Sequence, residues 1–274
     1  MADPLISELP AAKGVVVAVW IAALFAAERI WPAAPRPTGL DEGWPRRAGM
    51  VRSGGGRRLG RNLGLWLINT ALSPLVVLPL TAWAAAQGAG LAWRPAWWSG
   101  PWGLVADLLL LDLLIYWWHR ANHAVPFLWR FHSVHHLDGF LDSTSALRFH
   151  FGEVLLSALA RAAVIVLLGF PFASVLAFET LVLAATVFHH SNLRLPAGLE
   201  RALSRLVVTP SIHWVHHHAV RRDTDSNYAT VLSLWDRLFG SRSPKPRDPL
   251  MKIGVEGQGE EGMTALLMRP FRRG

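Results

Sequence analysis

The sequence predicts an all-α integral membrane protein, a bundle of about four spanning helices or hairpins under a cytosolic, histidine-rich helical cap. Three observations carry this expectation. Of 274 residues, 52% are hydrophobic and only 17% charged, with mean hydropathy +0.28. That is rich for a soluble domain and lean for a bundle of spans alone. Apolar runs approaching the ~20 residues that cross a bilayer recur along the chain. All 12 histidines fall between His119 and His218.

Each run has its own justification. Gly14–Ile30 lacks a basic leader and a small-residue cleavage site, so it reads as an uncleaved first span rather than a signal peptide. A Pro/Gly/Arg loop from Pro32 to Arg61 follows, carrying Arg36, Arg46, Arg47, Arg52, Arg57, Arg58 and Arg61. Leu63–Ala86 is a second span, in which Pro74 and Pro79 are tolerable as kinks. Residues 87–101 form a loop with Trp93, Trp97 and Trp98, the belt residues of a membrane interface. Trp102–Trp118 is the third span and leads into the first histidines. Val154–Phe170 and Phe172–Phe188 form a hairpin joined at Gly169-Phe170-Pro171. The chain after Gly240 is polar and basic, with Pro244, Pro246 and Pro249, and reads as a loosely ordered surface tail. Three regions are expected: N-terminal spans with the basic loop (1–107), a region that holds every histidine (108–240) and the tail (241–274).

Orientation follows from arginine. Seven in the 32–61 loop against Arg94 alone in the 87–101 loop place the former in the cytoplasm. Tracing the spans from there brings every histidine cluster out on the cytoplasmic side, in a bacterial-type inner membrane. The net charge of +8 then reads as a surface facing anionic lipid rather than nucleic acid, which the apolar spans exclude as a partner. The absence of cysteine rules out disulfides, thiolate metal sites and cysteine nucleophiles.

Three histidine clusters carry the chemistry: His119-Arg-Ala-Asn-His123, His132-Ser-Val-His135-His136 and His213-Trp-Val-His216-His217. Residues three and four apart share a helix face, so each cluster presents its imidazoles in one direction. Eight nitrogens exceed the four of a zinc site and the two of a bis-histidine haem. They suit two metal ions with open positions left over. Imidazole accepts iron, copper, nickel or zinc, and ligand type alone does not choose among them.

These clusters, in this order and separated by a hydrophobic hairpin, resemble the fatty acid hydroxylase superfamily and its sterol desaturase branch. So do Asp112-Leu-Leu-Ile-Tyr116-Trp-Trp-His119-Arg120, Arg148-Phe-His150-Phe-Gly-Glu153, Phe188-His189-His190-Ser191-Asn192, Asp225-Ser-Asn227-Tyr228 and Trp235-Asp236-Arg237-Leu238-Phe239-Gly240. The likeness runs from about Leu108 to Gly240. It implies a non-haem di-iron oxidoreductase that uses O2 to hydroxylate or desaturate a sterol-like or fatty acyl lipid in lipid biosynthesis. Carried over by position, the metal ligands are His119, His123, His132, His135, His136, His213, His216 and His217. His190 is the ninth, as the head of the His-Ser-Asn element, with His189 pointing elsewhere and His218 a bystander. His150 is either a ligand or a group that orients one.

Asp112, on the His119 face two turns earlier, is expected to accept a ligand N–H, and Glu153 to orient His150 or cap the hairpin helix. Asp225, Asn227 and Asp236 are further candidates around the ligands. Trp117, Trp118, Trp129 and Trp214 read as anchors at the membrane surface. No flavin or nucleotide fingerprint is present, so electrons are expected from a separate donor, such as a ferredoxin or small cytochrome with its reductase. The rivals are a histidine-ligated, metal-dependent membrane hydrolase or lyase, and a membrane metal transporter, which would need ionisable groups deep in its spans.

Overall fold

The computed structural model describes residues 4–35, 55–91 and 94–272, with side chains from Val15 onward. Arg36, Arg46, Arg47 and Arg52 of the basic loop lie outside them. The described chain is helical, its extended pairing confined to isolated bridges. Helix α1 (Pro4–Ile30) covers the residues expected to form the first span. Helices α2 (Gly55–Leu72) and α3 (Leu78–Gly90) run on through a π-helical turn at Ser73–Val77. That turn sits where Pro74, which has no N–H to donate, interrupts the helical ladder. Then come α4 (Gly100–Ala124), α5 (Pro126–His136), α6 (Phe151–Leu168) and α7 (Phe172–His190). Short helices complete the cap: α8 (Ala197–Leu203), α9 (Pro210–His216), α10 (Arg221–Thr224), α11 (Leu234–Leu238) and α12 (Met263–Met268).

Among the described residues, four helical stretches are long and apolar enough to cross a membrane: Gly55–Gly90, Gly100–Ala124, Phe151–Leu168 and Phe172–His190. Leu67, Leu75, Trp83, Trp102, Leu159 and Leu167 on them are exposed, which is the surface a lipid solvent covers. Their inner faces meet in a core of Ala84, Leu111, Ala162, Ile165, Phe170, Val175 and Phe178. The contact of α3 with α6 is close. A Cβ on Gly88 would stand 2.7 Å from the Ile165 carbonyl oxygen. Gly169 ends α6 in the left-handed region (φ 63°), as expected of the hairpin turn. At that end Asp107 accepts from Arg94 (2.6 Å), Trp98 (2.8 Å) and Ser174 (2.6 Å).

The opposite end departs from expectation in three places. Residues 55–61 are not loop but the first turns of α2, and Arg58 and Arg61 are buried. Arg58 grips Asp138 and Asp142, and also donates to Ser145 and the Phe140 carbonyl. Burial by itself would raise the Asp138 carboxyl. The Arg58 and Arg148 guanidiniums outweigh it and hold the group below the usual carboxylate range.

The second departure is the tail, which is no loose segment. Glu260, fully buried at its side chain, accepts from Arg61 (3.0 Å) and Arg148 (2.7 Å). Gly254 N donates to the His217 carbonyl and Ala219 N to that of Lys252, and Leu266 packs with Leu65, Val134 and Leu137. Residues 241–272 thus strap the cap to α2. Removing one partner of such a buried pair costs about 3–5 kcal/mol.

Third, Trp214 does not anchor at a surface. It is 1% exposed, packed on Phe140 with the Arg247 guanidinium 4.2 Å over its ring.

Helix α1 is tied to the same end. Glu28 at its last turns is buried and accepts from Ser143 N (2.9 Å), Ser143 Oγ (2.9 Å) and Asn192 N (2.9 Å). The side chain of Asn192 in turn bonds the Ala34 backbone in both directions.

Candidate metal centre

Proline helps set the angles that gather the histidines. Helix α4 stops at Ala124 because Val125, which precedes Pro126, is extended (φ −94°, ψ 115°). The chain swings there, and α5 lays its histidines against those of α4. Helix α7 ends on His190, and α9 starts at Pro210 and carries His213 and His216, with His217 at its C-cap.

Nine histidines converge in two groups. His119, His123, His132, His136 and His216 form one, and His135, His190, His213 and His217 the other. Within each group, one ring nitrogen per residue lies within 4.8 Å of all the rest. Eight of the nine rings are at most 3% exposed, and His119 is half-buried. The two HxxHH runs split between the groups in mirrored fashion. Helix α5 sends His132 and His136 (i, i+4) to the five-membered group and His135 to the other. Helix α9 and its cap send His213 and His217 (i, i+4) to the four-membered group and His216 to the first. A turn of 100° per residue separates neighbouring rings that share a backbone. The groups touch where His136 stacks on His217, ring centroids 4.3 Å apart.

Six of the nine histidines have an acceptor at the outward nitrogen, whereas Nδ1 of His136, His213 and His217 is buried without a partner. His119 Nδ1 reaches the Tyr228 carbonyl (2.7 Å), His216 Nδ1 that of Ser226 (2.6 Å), His135 Nδ1 that of Arg148 (3.1 Å) and His190 Nδ1 that of Thr186 (2.7 Å). His132 Nδ1 lies 2.7 Å from Glu153 and His123 Nδ1 3.3 Å from Asp225. A carbonyl can only accept, so each such Nδ1 carries the proton and each Nε2 keeps a bare lone pair.

The inward nitrogens fit a cation. Nε2 of His123, His132, His136 and His216 is buried without a hydrogen-bond partner. In the four-membered group, His190 Nε2 stands 3.0 Å from both His135 Nε2 and His213 Nε2, and His217 Nε2 3.1 Å from His213 Nε2. The lone pairs of His135 and His190 cannot bond one another. Nitrogens about 2.1 Å from a shared ion and at right angles to each other stand about 3.0 Å apart. Burial first, then the neighbouring imidazoles, holds His135, His136, His213, His216 and His217 well below the ordinary histidine range. They are therefore neutral and able to donate to a metal.

Several expected roles fall elsewhere. Asp112 touches no ligand ring in the contacts it makes. It accepts from Val231 N (3.2 Å), Leu232 N (3.0 Å) and Trp235 Nε1 (2.8 Å), fixing the loop beside α4. Glu153 orients His132 rather than His150. His150 lies outside both groups: its Nδ1 caps α6 by accepting from Gly152 N (2.9 Å), and its Nε2 bonds the Leu267 carbonyl (3.0 Å). Asn227, at φ 54°, bonds the Ile212 carbonyl and Ser243 N. Asp236 accepts from Tyr228 N and Ala229 N, so it reaches His119 only through the Tyr228 carbonyl. His218 turns away to Asp223. His189 lies outside both groups, yet its ring centroid is 4.0 Å from that of His213. Trp129 stands against His123 (5.1 Å) and His136 (5.4 Å) rather than at a free surface. Reading the residues missed the four backbone carbonyls, which leave no mark in side-chain identity.

No solved structure matches the chain. The ornithine lipid hydroxylase OlsE of Rhizobium tropici is 30% identical over 199 residues, 71% of this chain and 59% of that protein. An alkylglycerol monooxygenase of Danio rerio is 32% identical over 149 residues, 54% of this chain and 32% of that protein. A cholesterol 25-hydroxylase-like protein of Danio rerio is 34% identical over 145 residues, 51% of this chain and 55% of that protein. The chain thus spans between about a third and three fifths of these relatives' lengths. The model of the fatty acid hydroxylase family matches residues 104–241, the stretch that holds both histidine groups, and the chain belongs to that family.

Proposed function

We propose that the nine histidines hold two iron ions and that the protein is an O2-dependent hydroxylase of a membrane lipid. The observation that carries this reading is the pair of buried groups whose inward Nε2 atoms lack hydrogen-bond partners or crowd one another at 3.0–3.1 Å. Bound there, the irons supply reductive activation of O2 and attack on an unactivated C–H bond. The protein supplies the rest. Glu153 and Asp225 accept Nδ1 protons and so make His132 and His123 stronger donors. The carbonyls of Tyr228, Ser226, Arg148 and Thr186 fix the rings they receive. Burial keeps His135, His136, His213, His216 and His217 neutral and so able to donate to a metal. The relatives act on lipids by name, which favours a lipid substrate and, between hydroxylation and desaturation, hydroxylation.

The histidine end is assigned to the cytoplasm of an inner membrane, where Arg57, Arg58 and Arg61 begin α2 and where a separate electron donor would reach the site. The test is to supply isotopically labelled O2 to membranes carrying the protein and a reductase system. One labelled oxygen atom should appear in a lipid product. Label arriving only from water would overturn the reading and favour a hydrolase or lyase.

A further inference from the structure

The segment that follows α8 is joined to the segment that leads into α11. Val208 N donates to the Val231 carbonyl (2.9 Å), Ser233 N to that of Leu206 (3.1 Å) and Ser233 Oγ to that of Ser204 (2.9 Å). Arg237 donates to the Arg205 carbonyl. The outer face of this pair is both apolar and basic. Leu206 is 67% exposed, Leu238 62%, Leu199 47% and Leu234 45%, and Arg201, Arg205 and Arg237 are exposed among them. The acids of the same segments are engaged elsewhere. Glu200 accepts from Ser211 Oγ, and Asp236 is buried beneath Tyr228 and Ala229.

Helix α4 sets the depth of this face. The carboxylate of Asp112 holds Val231 N, Leu232 N and Trp235 Nε1. Asp112 lies about 10 Å further into the spanning helix than His119, at a rise of 1.5 Å per residue. The loop leading into α11 is therefore pinned beside the apolar body of a span, not above it. Exposed leucines at that depth suit a lipid environment, and arginine stems are long and apolar enough to carry a guanidinium from there to a phosphate layer.

We propose that the joined α8 and α11 segments form a plate that lies in the membrane interface and binds anionic phospholipid headgroups. An exposed guanidinium matches a phosphate in charge and in hydrogen-bond geometry, while the leucines hold the plate against the leaflet. A soluble protein partner would fit the charge but not the depth set by Asp112.

The cysteine-free chain allows a direct test in nanodiscs of phosphatidylcholine with or without phosphatidylglycerol. Leu206→Cys and Leu238→Cys, with Leu234→Cys as a third position should either fail to insert, carry a polarity-sensitive fluorophore. Leu250→Cys on the exposed tail serves as the aqueous control. The plate positions should show blue-shifted emission and quenching by spin-labelled lipid, both absent at position 250. Emission matching position 250 at all the plate positions would overturn the proposal. Phosphatidylglycerol should deepen the blue shift, and Arg201→Gln with Arg205→Gln should remove that increment. The same shift in both lipid compositions would overturn the headgroup assignment.

Discussion

The two histidine groups share one design but differ in what stands behind them. In the five-membered group, two of the outward nitrogens face carboxylates, Glu153 at His132 and Asp225 at His123. In the four-membered group, His135 and His190 face backbone carbonyls, and Nδ1 of His213 and His217 has no hydrogen-bond partner. A carboxylate behind an imidazole raises its donor strength and lowers the net charge of a loaded site. The comparison teaches that equal-looking histidine runs build unequal sites. On the proposed reading, an ion in the five-membered group would be held more tightly by its two carboxylate-backed imidazoles than one in the four-membered group, even though Nδ1 of His136 also lacks a partner.

The largest effects test whether the groups are separate sites. His136→Ala and His216→Ala remove a nitrogen from the first group, and His213→Ala one from the second. Each should abolish turnover. Metal analysis should show His213→Ala keeping more iron than His136→Ala, and the reverse order would break the comparison.

Acid comes next. The folded-state pKa values of His135, His136, His213, His216 and His217 lie well below 6.5, so the unfolded chain binds protons first as pH falls. Stability of the metal-free protein is therefore undiminished above about pH 6.5 and declines below it, each such histidine contributing about 1.4 kcal/mol per pH unit. Thermal unfolding at pH 7.5 and 5.5, in detergent with chelator, reads this directly. An equal midpoint at both pH values would contradict the burial assigned to these rings.

Smaller effects separate the carboxylates. Glu153→Gln should weaken iron retention about 10–100-fold in a chelator titration, the loss typical of a partner behind a ligand. Asp225→Asn should cost less, because that carboxylate is 36% exposed, 3.3 Å from His123 and shared with Arg221. Smallest of all, His218→Ala should leave iron content unchanged, since its ring is bonded to Asp223 outside both groups.

What was legible in the sequence was what local spacing determines. Hydropathy located the spans because a bilayer demands length and apolarity of contiguous residues, and the i, i+3 and i, i+4 pattern placed histidines on common helix faces. Partner choice was not local. Glu153 lies one turn from His150, yet its carboxylate faces His132, because the 137–150 segment folds α5 back over the start of α6. Arg58 and Arg61 looked like solvated loop charge. They are buried because Asp138, Asp142 and Glu260, remote in sequence, meet them. The same Glu260 turns an apparent tail into a strap, and no periodicity within residues 241–274 could show that.

Nine histidines in two groups should form two ion sites rather than one. The direct measurement is the iron content of purified wild-type protein beside Glu153→Gln during a stepwise chelator titration. Two irons per chain should leave wild type in two separate steps, with the later step moved earlier by Glu153→Gln. One ion per chain, or a single step unmoved by the substitution, would contradict it.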